Sequence, residues 1–392
     1  MAKGRGKKDT QLTTAGRDPE HNFGIVNPPV YHASTIVHPT VAALEEANLK
    51  PFEGVKYGLR GTPTTFALED AVTALEGGYR SVAVCSGLAA VTAPLLAFLK
   101  AGDHLLVSDN IYYPTRKFCD GHLARFGVET TYFDPMIGAG ISGLIRDNTR
   151  VVFLESPGSL TFEVQDVPAI AAAAREAGAV SIIDNTWAAG YYFQPLKHGA
   201  DVSFQAVTKY IGGHSDLIMG MITTTEESFL PVKRECSDLG LHAAPDDCFL
   251  ALRGLRSMAA RLARHQETGL TLARWLEGRP EVDRVLHPAL PSCPGHDLWQ
   301  RDFSGASGLF SIILKDASKA AVAAMLDGME MFAMGYSWGG YESLIIPADP
   351  SAIRTATSWE AKGPLLRLHA GLEDPEDLIN DLERGLKRLT AG

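Results

Sequence analysis

A lysine and an aspartate that each follow a short apolar segment are the residues whose types and positions best suit catalysis. Lys209 follows residues 201–205 and Asp184 follows residues 181–183, and both segments are typical of buried strands. Burial lowers the pKa of a lysine, and the unprotonated amine can form a Schiff base with a carbonyl compound. Each residue alone has an ordinary explanation, since Lys209 could extend into solvent and Asp184 could cap a turn or a helix.

Together, Asp184 and Lys209 favour a site for pyridoxal phosphate (PLP). In open α/β sheets, ligands bind in the crevice outside the carboxyl ends of the strands, which is where both residues are expected. A carboxylate at that edge can hold a protonated pyridine nitrogen, which PLP needs if it is to act as an electron sink. A dinucleotide site is not indicated, because no GxGxxG motif follows a strand in this chain.

Residues 80–99 supply a third possible anchor for this cofactor, at its phosphate group. The segment has the pattern of a strand, a Ser-Gly turn and a helix, so the turn lies at a helix N-terminus. Unpaired N–H groups and the helix dipole favour an anion there, although many α/β units of the same shape bind none. We predict that Gly87, Leu88 and the hydroxyl of Thr208 bind the phosphate.

The segments that must position these residues alternate between strand and helix. Strands are predicted at residues 80–84, 103–108, 128–133, 150–154, 180–183 and 201–205, with helices at 65–75, 88–99 and 167–177. This alternation predicts an α/β fold with a mostly parallel sheet covered on both faces. A long amphipathic helix at 246–277 precedes a smaller C-terminal α/β domain, with predicted strands at 307–314 and 365–369 and helices at 317–326 and 375–389.

The chain is therefore expected to have three parts. Residues 1–60 contain many turn formers and little periodicity, so we interpret them as an N-terminal arm that contacts a neighbouring subunit. Residues 61–256 form the predicted PLP-binding domain, and residues 257–392 form the predicted C-terminal domain on the substrate side. A chain of 392 residues is long enough for both domains.

The bulk composition limits the classes of partner. A formal net charge of −10 argues against nucleic acid or an acidic membrane as a partner. The five cysteines are scattered and form no CxxC motif, which argues against a disulfide framework or a metal site and favours a reducing compartment. No apolar segment has the length of a signal peptide or a membrane span, so we expect a cytoplasmic protein.

Motifs along nearly the whole chain resemble those of one enzyme family. In the family's order they are YGLRGTPTT (57–65), LEGG (75–78), CSGLAAV (85–91), FLESPGS (153–159), IDNTWAAG (183–190), QAVTKYIGGHSD (205–216), HPALP (287–291), SGLFS (307–311), YSWGGYESL (336–344) and LLRLHAGLED (365–374). The chain resembles the Cys/Met-metabolism family of PLP-dependent enzymes, and within it the bacterial cystathionine β-lyases. The resemblance implies the fold-type-I, aspartate-aminotransferase-like fold of PLP-dependent transferases.

The resemblance also assigns roles to individual residues. It implies that Lys209 binds PLP covalently and acts as the catalytic base, and that Asp184 holds the pyridine nitrogen. It implies that Tyr112 stacks on the pyridine ring, where a tyrosine could also help to deprotonate the incoming amine. A stacked aromatic side chain holds the ring in place and keeps water away.

One motif departs from the family pattern. The resemblance implies that Tyr57 reaches the cofactor phosphate and the substrate of a neighbouring subunit. The family usually has Tyr-x-Arg at this point, with the arginine also binding phosphate, but this chain has Leu59 in that position and Arg60 after it. Because successive extended residues point to opposite sides, a phosphate role for Arg60 competes with binding by backbone and hydroxyl groups alone.

Two C-terminal motifs point to the substrate. Arg367 lies between leucines in a predicted strand, and a buried cation needs a partner. That partner could be a local acid such as Glu373 or Asp374, or the α-carboxylate of a substrate, which the guanidinium fork suits and the resemblance favours. Ser337 and Trp338 are predicted to complete the substrate site. Relatives that act at the γ-carbon typically have leucine where Trp338 stands.

The expected activity is β-elimination of L-cystathionine, which gives homocysteine, pyruvate and ammonia. The resemblance places this reaction in methionine biosynthesis and implies a homotetramer in which subunits share active sites. Cystine-like amino acids are further expected substrates. The alternatives are a γ-lyase or γ-synthase of the same family, or an α/β binding protein without catalytic activity.

Overall fold

The structure is a computed structural model that describes residues 6–351 and 353–391 of the chain. The strands of its larger sheet are β1 (Arg80–Val84), β2 (His104–Ser108), β3 (Glu129–Phe133), β4 (Thr149–Glu155), β5 (Val180–Asp184), β6 (Val202–Ala206) and β7 (Gly220–Thr224). Their order is β1-β7-β6-β5-β4-β2-β3, with β7 antiparallel to its neighbours and the remaining pairs parallel. The predicted mostly parallel sheet is confirmed.

Helices surround this sheet and continue beyond it. They are α1 (Lys8–Thr14), α2 (Val41–Leu49), α3 (Pro63–Glu76), α4 (Gly87–Phe98), α5 (Tyr113–Lys117), α6 (Val167–Glu176), α7 (Glu226–Asp238), α8 (Pro245–Glu277), α9 (His296–Asp302), α10 (Lys319–Asp327) and α11 (Pro375–Ala391). Shorter helical turns occupy Gly58–Arg60, Gly138–Leu144 and Pro195–His198, and a π-helical turn occupies Phe118–Leu123.

Both faces of the larger sheet carry an apolar core, as the sequence predicted. Along β2, Leu106 packs into one core while Leu105 and Val107 pack into the other. This alternation follows from the two-residue period of a strand, which sends successive side chains to opposite faces. The strand residues are therefore apolar in succession, and polar side chains concentrate where the strands end.

A second sheet forms the smaller C-terminal part. It contains β8 (Val282–Leu286), β9 (Leu309–Leu314), β10 (Leu344–Ala348) and β11 (Leu365–His369) in the order β10-β11-β9-β8, with each pair antiparallel. Helices α10 and α11 bury their apolar residues in one core with these strands. The smaller domain is confirmed, and its sheet is antiparallel. The predicted boundary after residue 256 falls within α8.

Some elements differ from the sequence prediction. Strands β7, β8 and β10 were not predicted, because their sequences lack a strict polar–apolar alternation. Helix α4 is continuous through Pro94. Among the described residues, no helix is long and apolar enough to cross a membrane.

The predicted arm comprises residues 1–60, of which residues 1–5 lie outside the described residues. Helix α1 packs beside α8, where Arg256 Nη1 donates a hydrogen bond to the Leu12 carbonyl at 2.6 Å. Beyond α1 the arm leaves large apolar side chains in solvent, including Phe23 at 98%, Val37 at 86% and Leu49 at 82% exposure. An isolated chain would not be expected to expose so many.

Candidate active site

Lys209 lies in the loop between β6 and β7. The loop is closed at its base by Thr208, whose hydroxyl accepts a hydrogen bond from the Met219 N–H at 3.1 Å. From there the Lys209 side chain extends toward the C-terminal domain, where its Nζ donates to Ser337 Oγ at 2.6 Å. The same Nζ lies 5.2 Å from the centre of the Trp338 ring. The sequence-predicted lysine thus meets two sequence-predicted substrate residues.

The electrostatics of the site increase the share of unprotonated amine at Lys209. Burial lowers the pKa of Lys209 to about 8, and the positive charge of Arg367 lowers it further, while the Asp184 carboxylate opposes both effects. A lysine with this pKa is about one-tenth unprotonated at pH 7, far more than a lysine with the ordinary pKa of 10.5. That property suits a nucleophile toward a carbonyl group and a general base.

Asp184 ends β5 at the carboxyl edge of the parallel strands. Burial raises the pKa of Asp184 to about 6, whereas hydrogen bonds from the Thr186 hydroxyl and N–H to Asp184 Oδ1, at 2.5 and 2.9 Å, favour the ionised form. Its other oxygen can therefore meet a cationic ring nitrogen while Thr186 fixes the side chain. Asp184 therefore lies near Lys209, as the sequence predicted.

Tyr112 lies at the start of α5 and is about half exposed, at 48%. Its backbone N–H donates a hydrogen bond to Glu155 Oε2 at 2.6 Å. Burial raises the pKa of the Tyr112 phenol, and the nearby Glu155 and Asp184 carboxylates raise it further, while Arg367 acts in the opposite direction. The four side chains are thus close enough to influence each other's charge. An exposed aromatic face at this edge is available for stacking on a ring.

Arg367 projects from β11 and bonds to main-chain oxygens. Its Nη2 donates to the Ser337 carbonyl at 3.0 Å and to the Gly335 carbonyl at 3.5 Å. The local acid suggested as an alternative partner, Glu373, instead accepts hydrogen bonds from Ser343. Among the described residues, no carboxylate lies within ion-pair distance of Arg367, so its charge is available to an incoming carboxylate.

Residues 337–340 connect Lys209 to Arg367. Ser337 has a φ of +78°, which is uncommon for a residue with a side chain, and it places its Oγ toward Lys209 and its carbonyl toward Arg367. Gly339 follows with a φ of +88°, and a Cβ there would lie 2.9 Å from the Lys209 carbonyl carbon. The Gly339 N–H meets His369 Nε2 at 3.1 Å. The segment is therefore held directly against the lysine backbone.

The predicted phosphate end has the expected strand–turn–helix shape. Ser86 caps α4 by accepting a hydrogen bond from the Ala89 N–H at 3.0 Å, and Gly87 and Leu88 form the first turn. A Cβ at Gly87 would lie 2.7 Å from the Ala206 Cβ, so only glycine lets the helix approach β6 this closely. The hydroxyl of Thr208, which was predicted to bind phosphate, is already bonded to Met219.

Tyr57 and Arg60 remain within the arm. Tyr57 is 49% exposed and pairs with Thr35 in an isolated bridge. Arg60 Nη1 donates to the Pro51 carbonyl at 3.1 Å, and its guanidinium lies over the Phe52 ring. The contacts of Arg60 are thus with its own arm, whereas Lys209, Asp184, Tyr112 and the C-terminal residues form one cluster.

Glu155 is a member of this cluster that the sequence did not reveal as a site residue. It ends β4, directly beside Asp184 in the register of the parallel strands, and it holds the backbone of Tyr112. The motif FLESPGS contains it, but a Glu at a strand end is common and carries no distinctive spacing. The feature that could have identified Glu155 is its position at the end of a predicted strand, at the same edge of the sheet as Asp184.

The comparisons with known proteins agree with this geometry. Residues 9–387 match the family model described as Cys/Met metabolism PLP-dependent enzyme. The chain is 51% identical to a provisionally named cystathionine β-lyase of Rhizobium johnstonii, covering 98% of this chain and 96% of that protein. It is 45% identical to the cystathionine β-lyase MetC of Escherichia coli, covering 98% of this chain and 99% of that protein.

A solved structure extends the comparison to the fold. The cystathionine γ-synthase of Xanthomonas oryzae superposes with a TM-score of 0.90 at 31% identity, covering 98% of this chain and 99% of that chain. The predicted fold of PLP-dependent transferases and the predicted cofactor are thereby confirmed. This chain belongs to the Cys/Met metabolism family of PLP-dependent enzymes.

Proposed function

We propose that the protein is a carbon–sulfur lyase that converts L-cystathionine and water to L-homocysteine, pyruvate and ammonia. One observation carries the proposal: Ser337 contacts both the Lys209 amine through its hydroxyl and the Arg367 guanidinium through its carbonyl. A proton acceptor and a carboxylate-binding cation therefore flank one residue. An α-amino acid held by its carboxylate at Arg367 presents its Cα hydrogen toward Lys209.

The residues of the cluster fit PLP. Asp184, whose Oδ1 is bonded to Thr186, would hold the pyridine nitrogen in its protonated form. The Lys209 amine would bind the cofactor's aldehyde carbon, and the N-terminal turn of α4 would receive the phosphate through Gly87 and Leu88. When bound, PLP supplies an electron sink that stabilises negative charge at the substrate Cα.

The substrate is bound and deprotonated by residues of this chain. Arg367 takes the α-carboxylate with its guanidinium fork, exchanging bonds to main-chain carbonyls for charge-assisted bonds. Tyr112 covers the reacting carbon with its ring and keeps water away. Because its pKa is raised, the Tyr112 phenol stays protonated near neutral pH and is not the group that takes a proton from the incoming amine. The Lys209 amine removes the Cα proton as a general base, for which its lowered pKa is suited.

The elimination then breaks the Cβ–S bond. The sulfur leaves with the bonding electron pair, and Lys209, which now carries the abstracted proton, returns that proton to the sulfur to give homocysteine. The three-carbon remainder is hydrolysed to pyruvate and ammonia. One lysine thus serves as base and then as acid, which requires the substrate Cα and its sulfur both to lie within reach of the Lys209 Nζ.

Product identification tests the proposal. PLP-loaded protein is incubated with L-cystathionine, and the keto acid and the thiol are measured. Pyruvate with homocysteine is expected. 2-Oxobutyrate with cysteine would assign γ-elimination, and absence of turnover in a yellow, PLP-loaded protein would point to another amino acid, such as cystine.

The proposed assembly is a cytoplasmic homotetramer whose arms complete neighbouring active sites. Support comes from the exposed apolar side chains of the arm and from the position of Tyr57, whose half-exposed ring can reach a second chain. In this arrangement Tyr57 and, if it leaves its Pro51 contact, Arg60 approach the partner's phosphate site. We also propose the domain boundaries at residues 1–60, 61–256 and 257–392.

A further inference from the structure

Glu155 holds the main chain at Tyr112. The Glu155 Oε2 atom accepts a hydrogen bond from the Tyr112 N–H at 2.6 Å. Tyr112 is the residue at which the chain turns from the end of β2 into α5, so its N–H has no partner within a strand or a helix. The carboxyl group of Glu155 fills that role from a neighbouring strand. A short bond to a carboxyl oxygen restricts where the Tyr112 Cα, and hence its ring, can lie.

Glu155 also lies beside Asp184. The two residues are register partners at the ends of the parallel strands β4 and β5, so their side chains point to the same face of the sheet. Burial raises the pKa of Glu155 well above its usual range, and the neighbouring Asp184 carboxylate raises it further. Two adjacent buried carboxyl groups do not ionise together readily, because like charges repel strongly where water is excluded.

The mechanism gives one of these carboxyl groups a reason to be charged. Asp184 receives two hydrogen bonds from Thr186 and faces the Lys209 cluster. Among the described residues, the Glu155 carboxyl group receives a single hydrogen bond, which comes from a neutral backbone N–H. The negative charge therefore belongs on Asp184, where a protonated pyridine nitrogen would meet it. A neutral carboxyl group can still accept the Tyr112 N–H through its carbonyl oxygen.

We propose that Glu155 is a positioning residue: as a neutral acceptor it fixes Tyr112 at the sheet edge that carries Asp184, and so sets the position of the Tyr112 ring over PLP. The inference rests on the proposed function of the cluster as a PLP site. The inference does not depend on which amino acid is the substrate. Its effect on the cofactor is exerted through Tyr112, without a contact to PLP of its own.

Two substitutions at this position separate the hydrogen bond from the charge. Glu155→Gln keeps an acceptor oxygen and the size of the side chain but cannot ionise, whereas Glu155→Ala removes the acceptor. We expect Glu155→Gln to bind PLP within about twofold of the original protein. We expect Glu155→Ala to bind PLP about tenfold more weakly, because it loses one hydrogen bond to the Tyr112 N–H.

A double-mutant cycle tests whether the effect passes through Tyr112. The dissociation constant of PLP is measured by absorbance titration of apo protein for Glu155→Ala, Tyr112→Ala and the double variant. If Glu155 acts through the Tyr112 ring, the double variant binds PLP about as weakly as Tyr112→Ala alone. Glu129→Gln, at an exposed carboxylate on β3, serves as the matched control and should leave PLP binding unchanged. Thermal unfolding of each apo variant identifies any that fail to fold.

Three outcomes would overturn the proposal. Wild-type PLP affinity in folded Glu155→Ala would remove the positioning role. Equal weakening in Glu155→Gln and Glu155→Ala would show that the charge matters and the acceptor does not. Additive effects in the double variant would separate Glu155 from Tyr112. Because these measurements use no substrate, a protein that binds PLP but leaves cystathionine intact would reject the proposed lyase reaction and still decide the role of Glu155.

Discussion

Lys209 has its chemistry because of three neighbours contributed by distant parts of the chain. Burial and Arg367 lower the pKa of its amine, Asp184 limits that decrease, and Ser337 receives its Nζ. The sequence identified the lysine and the aspartate from their positions after apolar strands. It could not give the hydrogen bond to Ser337, because 128 residues separate the two partners and only the packing of the domains joins them.

Replacing Lys209 tests its assigned role. Lys209→Ala should lower kcat about a thousandfold, because it removes the group that both accepts the Cα proton and protonates the sulfur. The visible absorbance of covalently bound PLP should disappear as well. Lys100→Ala, at an exposed lysine after α4, provides the control. Substantial residual turnover in folded Lys209→Ala would contradict the assignment.

The pKa of Lys209 predicts how the apo protein captures PLP. Only the unprotonated amine reacts with an aldehyde, so the capture rate should rise with pH, about tenfold per unit below the pKa, and level off above a pH of about 8. Stopped-flow absorbance from pH 6 to pH 9.5 measures this profile. A rate that still rises about tenfold per unit at pH 9.5 would show that the amine is solvated and keeps the ordinary lysine pKa of 10.5.

Arg367 should affect the substrate far more than the cofactor. Arg367→Leu removes the fork that receives the α-carboxylate, so KM for cystathionine should rise about 10- to 100-fold, the equivalent of one or two charge-assisted hydrogen bonds. PLP content, measured by absorbance after gel filtration, should stay at one per chain. Arg367→Lys should recover part of the loss. Release of PLP from Arg367→Leu would mean that the arginine supports the cofactor.

At the scale of elements, the site lies where the carboxyl ends of the parallel strands face residues 337–340, a loop of the smaller domain. The alternation of strands and helices in residues 80–206 was predictable, because parallel strands buried on both faces are apolar in succession. The antiparallel strands β7, β8 and β10 were not, since their identity depends on pairing with partners elsewhere in the chain. The position of Ser337–Gly340 was also unpredictable in detail, as it follows from the domain contact and from a positive φ at Ser337.

The closeness of that loop to the lysine backbone predicts a strong effect at Gly339. Gly339→Ala places a Cβ 2.9 Å from the Lys209 carbonyl carbon at a φ of +88°, so either the loop or the lysine must move. We expect kcat to fall at least tenfold, because displacing the hydrogen bond between Lys209 and Ser337 is enough to lower the rate. The unfolding temperature should change little. Gly335→Ala, where the nearest atom would be 3.6 Å away, is the control. Equal activity of the two variants would refute close packing at Gly339.

At the scale of the whole molecule, the predicted arm is a part that leaves several large apolar side chains in solvent. None of the nine described residues of α2 is buried, although Val41, Leu44 and Leu49 are apolar. Turn formers and weak periodicity predicted the arm from the sequence. The surface that the arm would cover could not be derived, because in the proposed assembly that surface lies on a second subunit.

A charge on the arm should disrupt the assembly. Leu49→Glu introduces a carboxylate at a position that is 82% exposed in one chain, so it should cost the isolated subunit little and should oppose burial against a neighbour. Light scattering after size exclusion should show a smaller species than the original protein, and PLP should bind more weakly if Tyr57 acts across subunits. Leu239→Glu, at an exposed leucine outside the arm, is the control. An unchanged mass would place α2 outside the interface.

The short distance between Gly339 and the Lys209 backbone has a consequence for how this enzyme could acquire new substrates. A loop packed this closely against the Lys209 backbone cannot change its course without moving Lys209 as well. Substitutions at Ser337 and Trp338, whether natural or in a directed library, can therefore change substrate selectivity while the backbone stays in place. Substitutions at Gly339 would instead give variants that lose activity.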